Sequence, residues 1–431
     1  MTSTERPRRV RRRRCAVFAL TAVVALMGAV GCGTSDAESS GRVVRLSFWS
    51  GYAGPVPAAL ETIVGDFHAA NPDIRVEMNF MPWDLFFGKL LPAYGSGGGP
   101  DLAAFDSTHL AQYAKKGVLA PMDDWFASDP ASNVLVTAAT EAVTYNGTKY
   151  AVPMTFSSLK LFYNRSMFAD AGLDPDRPPT TWDEWRNAMK KLTKDENRDG
   201  TPEQYGMALP DHDSIPVWPI LLWGNGGDVL EPDGAKSALT RPETVDAVRG
   251  WTDLLREKEI SPVGLTGEDA DRLFQTGQAA MTITGPWMTS GFADVDFDVA
   301  PVPAGPVRQA TLGSTTSVAL NAKVSPEKKQ AAHRFLSYWV GEQGQEDWMM
   351  ESGYPSIRVD QNALADNPFV AEFAADARIA QPLMPGVVEF DKIYDDVFES
   401  AIKGIGSGEV GVDDGLANAA RRVDEILAAS R

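Results

Sequence analysis

The chain has 431 residues, 44% of them hydrophobic, with 58 acidic against 40 basic side chains and a net charge of −18. That acidity excludes a nucleic acid as partner, because phosphates would be repelled. His68, His109, His212 and His333 lie far apart without metal-ligand spacing, so no metal and no other cofactor is expected.

The first element is a leader. An arginine-rich head, Arg6 to Arg14, precedes an apolar run from Cys15 to Val30, which Gly31-Cys32 closes. The run is too short for a comfortable membrane span and has the basic, apolar, small-residue layout of a signal peptide over 1–31. With the polar tether 32–41 behind it, Cys32 resembles the acylated cysteine of a bacterial lipobox. The resemblance implies a lipid anchor on Cys32 and an exported protein held at the outer face of the cytoplasmic membrane. Arg13-Arg14 also suits a twin-arginine export signal. The leader carries seven arginines and one glutamate, a charge of +6, so the remainder carries −24. With Cys15 removed and Cys32 acylated, no disulfide is available, and core packing has to supply the stability.

Beyond the tether, Val43 to Trp49 reads as a strand, Pro55 to Ala69 as a helix with Leu60, Ile63, Val64 and Phe67 on one face, and Ile74 to Phe80 as a second strand. A helix from Trp83 to Tyr94 and a strand from Asp101 to Phe105 follow, with Thr108 placed to cap the next helix. Strand–helix alternation predicts an α/β domain with a largely parallel sheet. Asn146-Gly147 marks a hairpin. Leu159 to Asn164, Ala280 to Thr284, Phe297 to Pro301 and Ser317 to Leu320 read as extended. Helices open at Thr181, Thr240 and Ser325, and the tail from Tyr394 is helical with a glycine-rich break near 404–411. Asp195-x-Asn197-x-Asp199-Gly200 looks like half of a calcium loop, but Gly206 stands where a bidentate glutamate is needed, so it reads as a turn.

These segments together resemble a known family. Phe67-x-x-x-Asn71-Pro72-x-Ile74, Gly99-Pro100-Asp101-Leu102, Tyr113-x-x-x-Gly117-Val118-Leu119, Tyr145-Asn146-Gly147-x-x-Tyr150-Ala151-Val152-Pro153, Thr181-Trp182-Asp183-Glu184, Phe274-x-x-Gly277-Gln278 and Gly285-Pro286-Trp287 occur in the order found in the maltose-binding-like solute-binding proteins that feed ABC importers. The resemblance runs from about Val43 to Arg422. It implies an α/β, two-lobed periplasmic-binding-protein type II fold with a hinge and an interlobe cleft. The lobes are expected as 42–156 with 301–339, and 157–300 with 340–431, so the chain crosses near Phe156, Pro301 and Trp339. It also implies a monomer that binds a carbohydrate and delivers it to the permease subunits of the transporter.

A sugar needs aromatic plates for its C–H faces and a fringe of amides, hydroxyls and carboxylates for its hydroxyls. Of eleven tryptophans, Trp182, Trp185, Trp251, Trp339 and Trp348 lie in helical patterns and read as core. Trp125 reads as packing, and Trp83 and Trp218 begin helices that could bury them. Trp49 ends a strand just before Tyr52, and ligands gather at strand ends in open α/β sheets. Trp223 precedes a glycine-rich loop containing Asn225. Trp287 ends a strand, and the resemblance gives it a sugar-stacking role. Phe105, Asp106 and Ser107 end the third strand, Asp213 lies in a loop, and Ser314 and Thr315 form a hydroxyl-rich turn. Tyr354 and Tyr394 are further candidate walls. Phe105 stands where a tryptophan is familiar and Ser157 where a glutamate is, which points to a sugar other than maltose.

Two other readings compete. An exported, lipid-anchored glycan-active enzyme would need only a pair of carboxylates, and such pairs abound here. No G-x-S-x-G, H-E-x-x-H or Walker sequence supports catalysis. A protein-binding lipoprotein adaptor would not need aromatic residues at strand ends.

Overall fold

The computed structural model describes residues 43–212, 215–258, 260–361, 368–376 and 379–430. The leader, Cys32, the tether and Asp213 lie outside the described residues. Val44–Ser50 (β1), Ile74–Phe80 (β2) and Leu102–Asp106 (β3) are separated by helices Val56–Ala70 and Trp83–Gly95. Thr144–Tyr145 (β4) and Thr148–Lys149 (β5) form the expected hairpin, with both turn residues, Asn146 and Gly147, at positive φ. Ala151–Pro153 (β6) completes the first run. Ser157–Ser158 (β7), Lys160–Asn164 (β8), Met281–Thr284 (β9), Phe297–Ala300 (β10), Thr311–Ser314 (β11), Thr316–Leu320 (β12) and Ala380–Gln381 (β13) follow.

The first lobe is built on a sheet of order β2-β1-β3-β12-β6. β1 runs parallel to β2 and β3, whereas β12 is antiparallel to both β3 and β6. The sheet is therefore mixed rather than largely parallel. Local strand–helix alternation sets the first three strands, but β12 returns from the other half of the chain and enters in the opposite sense.

Period-two alternation decides which face each side chain serves. Leu46, Phe48, Leu102, Ala104, Val152, Val318 and Leu320 point to one core, shared with helices Val56–Ala70, Pro326–Trp339 and Glu342–Ser352. Ala103, Phe105, Ala151 and Ala319 point the other way, against helices Trp83–Gly95 and Leu110–Lys115. A sheet covered on both faces accounts for the central strands β3 and β12, which are buried on both sides, while the edge strand β2 alternates buried and exposed.

The second lobe surrounds the antiparallel sheet β10-β8-β9. Leu161, Tyr163, Met281 and Ile283 face a large core that holds helices Trp182–Leu192, Trp218–Gly224 and Pro242–Lys258, and Phe162 and Val299 face a smaller one with Phe274, Phe292 and Phe373.

The chain first crosses between lobes at 154–158, where Met154 belongs to the first core and Leu159 to the second. The other crossings come later than the sequence suggests. Val302, Ala310 and Leu312 pack in the second core, so the chain crosses at 313–317 rather than at Pro301. Trp348, Tyr354 and Ile357 pack in the first core, so the third crossing follows Ile357 rather than Trp339. The reason is apolar patterning. β11 pairs with β7 and β13 in a small sheet at the crossing, and the apolar face of Glu342–Ser352 is buried beside helix Val56–Ala70.

The Asp195 segment is a turn. Asn197, Asp195 and Asp199 accept the backbone N–H groups of Asp199, Gly200 and Thr201 at 2.7, 3.1 and 2.8 Å. Among the described residues, no helix is long and apolar enough to cross a membrane.

Candidate functional site

The C-terminal ends of β1 and β3 meet the second crossing. Asp106 ends β3, and its carboxylate accepts the Thr108 N–H and hydroxyl, each at 2.9 Å, on one oxygen. Its other oxygen accepts the Ser314 hydroxyl at 2.6 Å. The Ser107 N–H donates to the Thr315 carbonyl at 2.9 Å. The cap of the short helical turn is thus Asp106 and not Thr108, since a carboxylate at the strand end reaches the free N–H two residues on.

Tyr52 follows β1 and is buried beside Thr155, Thr316 and Tyr354, with Asp106 close enough for its charge to act on the phenol. The Tyr52 hydroxyl approaches these neighbours without a direct hydrogen bond of ordinary geometry. Burial, and then the Asp106 charge, hold this phenol well above its usual range. Burial does the same for Tyr354, with Tyr52 and Asp106 adding to it. Both phenols remain neutral and able to donate or accept.

The aromatic framework is continuous. Trp83 meets Tyr52 edge-on at 5.6 Å, and Trp348 lies 6.2 Å from Tyr52 and stacks on Tyr354 at 5.2 Å. Trp287 lies 5.9 Å from Tyr354 and packs against both large cores while remaining partly exposed. Two glycines permit this. A Cβ on Gly285 would fall about 2.0 Å from the Trp287 ring, so only glycine lets the indole fold back over the end of β9. Gly353 ends its helix at φ +73°, and a Cβ there would sit 2.2 Å from the Thr289 hydroxyl. This close approach brings Tyr354 to Trp287.

A second contact joins the lobes. His109 Nδ1 lies 2.6 Å from Asp391 Oδ1, and its ring stacks on Phe87 at 3.7 Å and meets Phe390 edge-on at 5.0 Å. Burial pushes the Asp391 carboxyl up, but the His109 hydrogen bond and charge, with help from Gln112, outweigh it and hold the group below the usual range.

Residues 53–346 match the family model described as bacterial extracellular solute-binding protein. The chain belongs to that family. A Brucella abortus (strain 2308) protein described only as a binding protein is 25% identical to this solute-binding protein over 409 residues, covering 91% of this chain and 95% of the other. An arabinooligosaccharide-binding protein of Halalkalibacterium halodurans is 26% identical over 347 residues, covering 76% and 74%. The crystal structure of a Thermotoga lettingae ABC transporter solute-binding protein bound with alpha-D-tagatose superposes with a TM-score of 0.80 at 25% identity, covering 89% of this chain and all of the other. The fold is that of the type II periplasmic binding proteins, two lobes with a hinge and an interlobe cleft, and the relatives bind solutes rather than transform them.

Of the residues singled out in sequence, this solute-binding protein brings together Tyr52, Asp106, Ser107, Trp287, Ser314, Thr315 and Tyr354. Others go elsewhere. Phe105 is fully buried against Tyr113 and Phe87, at 5.4 and 6.5 Å, because an odd-numbered position in β3 faces the core under helices Trp83–Gly95 and Leu110–Lys115. Trp49, on the same side of β1, is half-buried against that core. Trp223 closes helix Trp218–Gly224, which is buried all round, and its side chain hydrogen-bonds the Asp228 carboxylate. The Asn225 amide donates to the Glu243 carbonyl at 2.7 Å and ties its loop to helix Pro242–Lys258. Tyr394 is stacked in the second core between Phe390 and Phe398, each at 5.4 Å. Sequence reasoning missed Thr155 and named Thr316 only as the last residue of the hydroxyl-rich turn 313–316. Their signal is positional, since Thr316 opens β12 and Thr155 lies just past β6, where the chain crosses between lobes. Trp348 is core, as its helical pattern implies, and together with the partly buried Trp83 it backs Tyr52.

Proposed function

We propose that this solute-binding protein captures a mono- or oligosaccharide in the interlobe cleft and delivers it to the permease subunits of an ABC importer, as a monomer and without chemistry on its cargo. The observation that carries the reading is the grouping of Tyr52, Asp106, Trp287, Ser314 and Tyr354 at a crossing between lobes. Aromatic faces, neutral hydroxyls and one carboxylate are the chemistry that a polyhydroxylated ring requires. The relatives named for arabinooligosaccharide and tagatose agree with a sugar. Ligand contacting both walls favours the closed arrangement, because only there are all its contacts made.

The anchoring scheme rests on the leader. Residues 1–31 act as the signal peptide, 32–41 as the tether, and an acylated Cys32 holds the protein at the outer face of the cytoplasmic membrane. The test is a panel of mono- and oligosaccharides followed by thermal shift and tryptophan fluorescence, with product analysis alongside. Saturable stabilisation by at least one sugar that is recovered unchanged is the expected result. Turnover of a glycan would establish the enzyme reading in its place. For the anchor, the Cys32→Ser chain should leave the detergent phase on phase partition, while the unaltered protein stays in it.

A further inference from the structure

We infer that Asp106 makes this site a charge filter, which admits an uncharged polyhydroxyl ligand and rejects the same molecule carrying a phosphate ester. The inference rests on the carbohydrate reading above and names which members of that class the site accepts.

Asp106 is held only by uncharged donors, the Thr108 N–H, the Thr108 hydroxyl and the Ser314 hydroxyl. Three of its roughly four acceptor positions are therefore filled, which leaves one for a hydroxyl that donates. Its negative charge reaches both neighbouring phenols. Among the described residues, the groups that bear most on Tyr52 and Tyr354 are hydroxyls and Asp106, and none is a lysine, an arginine or a histidine.

Basic groups on the elements leading to this point are engaged elsewhere. His109, three residues beyond Asp106, pairs with Asp391 at 2.6 Å. Lys160, just past the first crossing, is fully buried 2.7 Å from Asp376. Arg308, shortly before β11, donates to the Trp223 carbonyl at 3.0 Å. Among the described residues, a phosphate entering beside Asp106 would thus meet a like charge and none of these three basic groups free to offset it. At a separation of about 5–7 Å in a partly desolvated site, that repulsion weakens binding on the order of a hundredfold. A neutral hydroxyl donating to the same carboxylate meets no such cost, so one residue attracts one class of ligand and repels the other.

The experiment is calorimetric titration of the full chain with matched pairs: glucose and glucose 1-phosphate, fructose and fructose 6-phosphate, maltose and maltose 1-phosphate, glycerol and glycerol 3-phosphate. For every pair with a binding member, the neutral compound should bind about 30-fold or more tightly than the ester, and added salt should narrow the gap. Asp106→Glu, which keeps the charge, should preserve the preference. Asp106→Asn, which removes the like charge, should abolish most of it. An ester that binds as tightly as its parent, a preference indifferent to salt, or an unchanged ratio in a folded Asp106→Asn variant would overturn the inference. The salt series on the unaltered protein decides the matter if that variant does not fold. Binding of esters alone would overturn the filter while leaving a solute receptor in place. Failure of every neutral member and every ester to bind would instead bring down the carbohydrate reading, and the filter with it.

Discussion

Two aromatic groups in this molecule have nearly the same internal geometry and opposite surroundings. In the second lobe, Trp251 lies 5.1 Å from Trp182 and 5.0 Å from Trp185, with the Arg186 guanidinium 5.3 and 5.4 Å from the rings of Trp182 and Trp251. At the crossing, Tyr52, Trp348, Tyr354 and Trp287 are spaced by 5.2 to 6.2 Å. Each group buries ring-edge atoms without a hydrogen-bond partner, the indole nitrogens of Trp185 and Trp251 in the first and the Tyr52 hydroxyl and Trp348 indole nitrogen in the second. The second is fringed by Thr155, Thr316, Ser314 and Asp106. Ring–ring geometry therefore does not separate the two groups. The hydroxyls and the carboxylate beside the second group do, because they supply donors and acceptors that a ligand can use.

Three perturbations break or sharpen this contrast. The largest effect belongs to the first group. Trp251→Ala removes a fully buried indole and should lower stability by about 3–5 kcal/mol, read as a denaturant midpoint, while the protein that remains folded binds sugar with unchanged affinity. Lost affinity beyond lost stability would mean that the two groups are coupled.

The next concerns a carboxyl that, unlike Asp106, has no donor set around it. Asp271 is buried, with one oxygen unpartnered and the other 3.4 Å from the Thr284 hydroxyl, and burial pushes its pKa from 3.8 up to about 8. The folded state holds this proton where the unfolded state has released it. The stability it confers is complete below the unfolded value and is lost as pH rises from about 4 to about 8. Unfolding measured across that range should show a decline of a few kcal/mol, and Asp271→Asn should flatten it. A slope that survives the substitution would assign the effect to another group.

The smallest effect is at the crossing itself. Trp287→Ala should weaken sugar binding by about 1–3 kcal/mol and leave both cores folded, since the indole is partly exposed and touches each core only at its margin. Unchanged affinity with lowered stability would move Trp287 into the same class as Trp251.

The fold was largely legible because its signals are local. Leu60, Ile63, Val64 and Phe67 share one helical face whatever lies opposite them, and all four are buried. Tyr52, Asp106 and Trp287, singled out because they end or follow a strand, do lie together near the second crossing. The site was misread at Trp223, Asn225 and Tyr394, where a glycine-rich loop or an aromatic residue in a polar stretch looked like a binding feature. Trp223 shows why. Whether an indole at a helix end faces solvent or a core depends on what packs over that end, and here the covering elements come from distant parts of the chain.

The order and type of most elements and the membership of the strands in an α/β design follow from the sequence alone, because they depend on residues within a few positions of one another. The tertiary structure alone decided where the chain passes between lobes and which aromatic rings stand beside polar groups. Asp106 and Ser314 are 208 positions apart, and no local pattern encodes a hydrogen bond across that separation. It forms because two independently packed cores hold the ends of β3 and β11 at bonding distance.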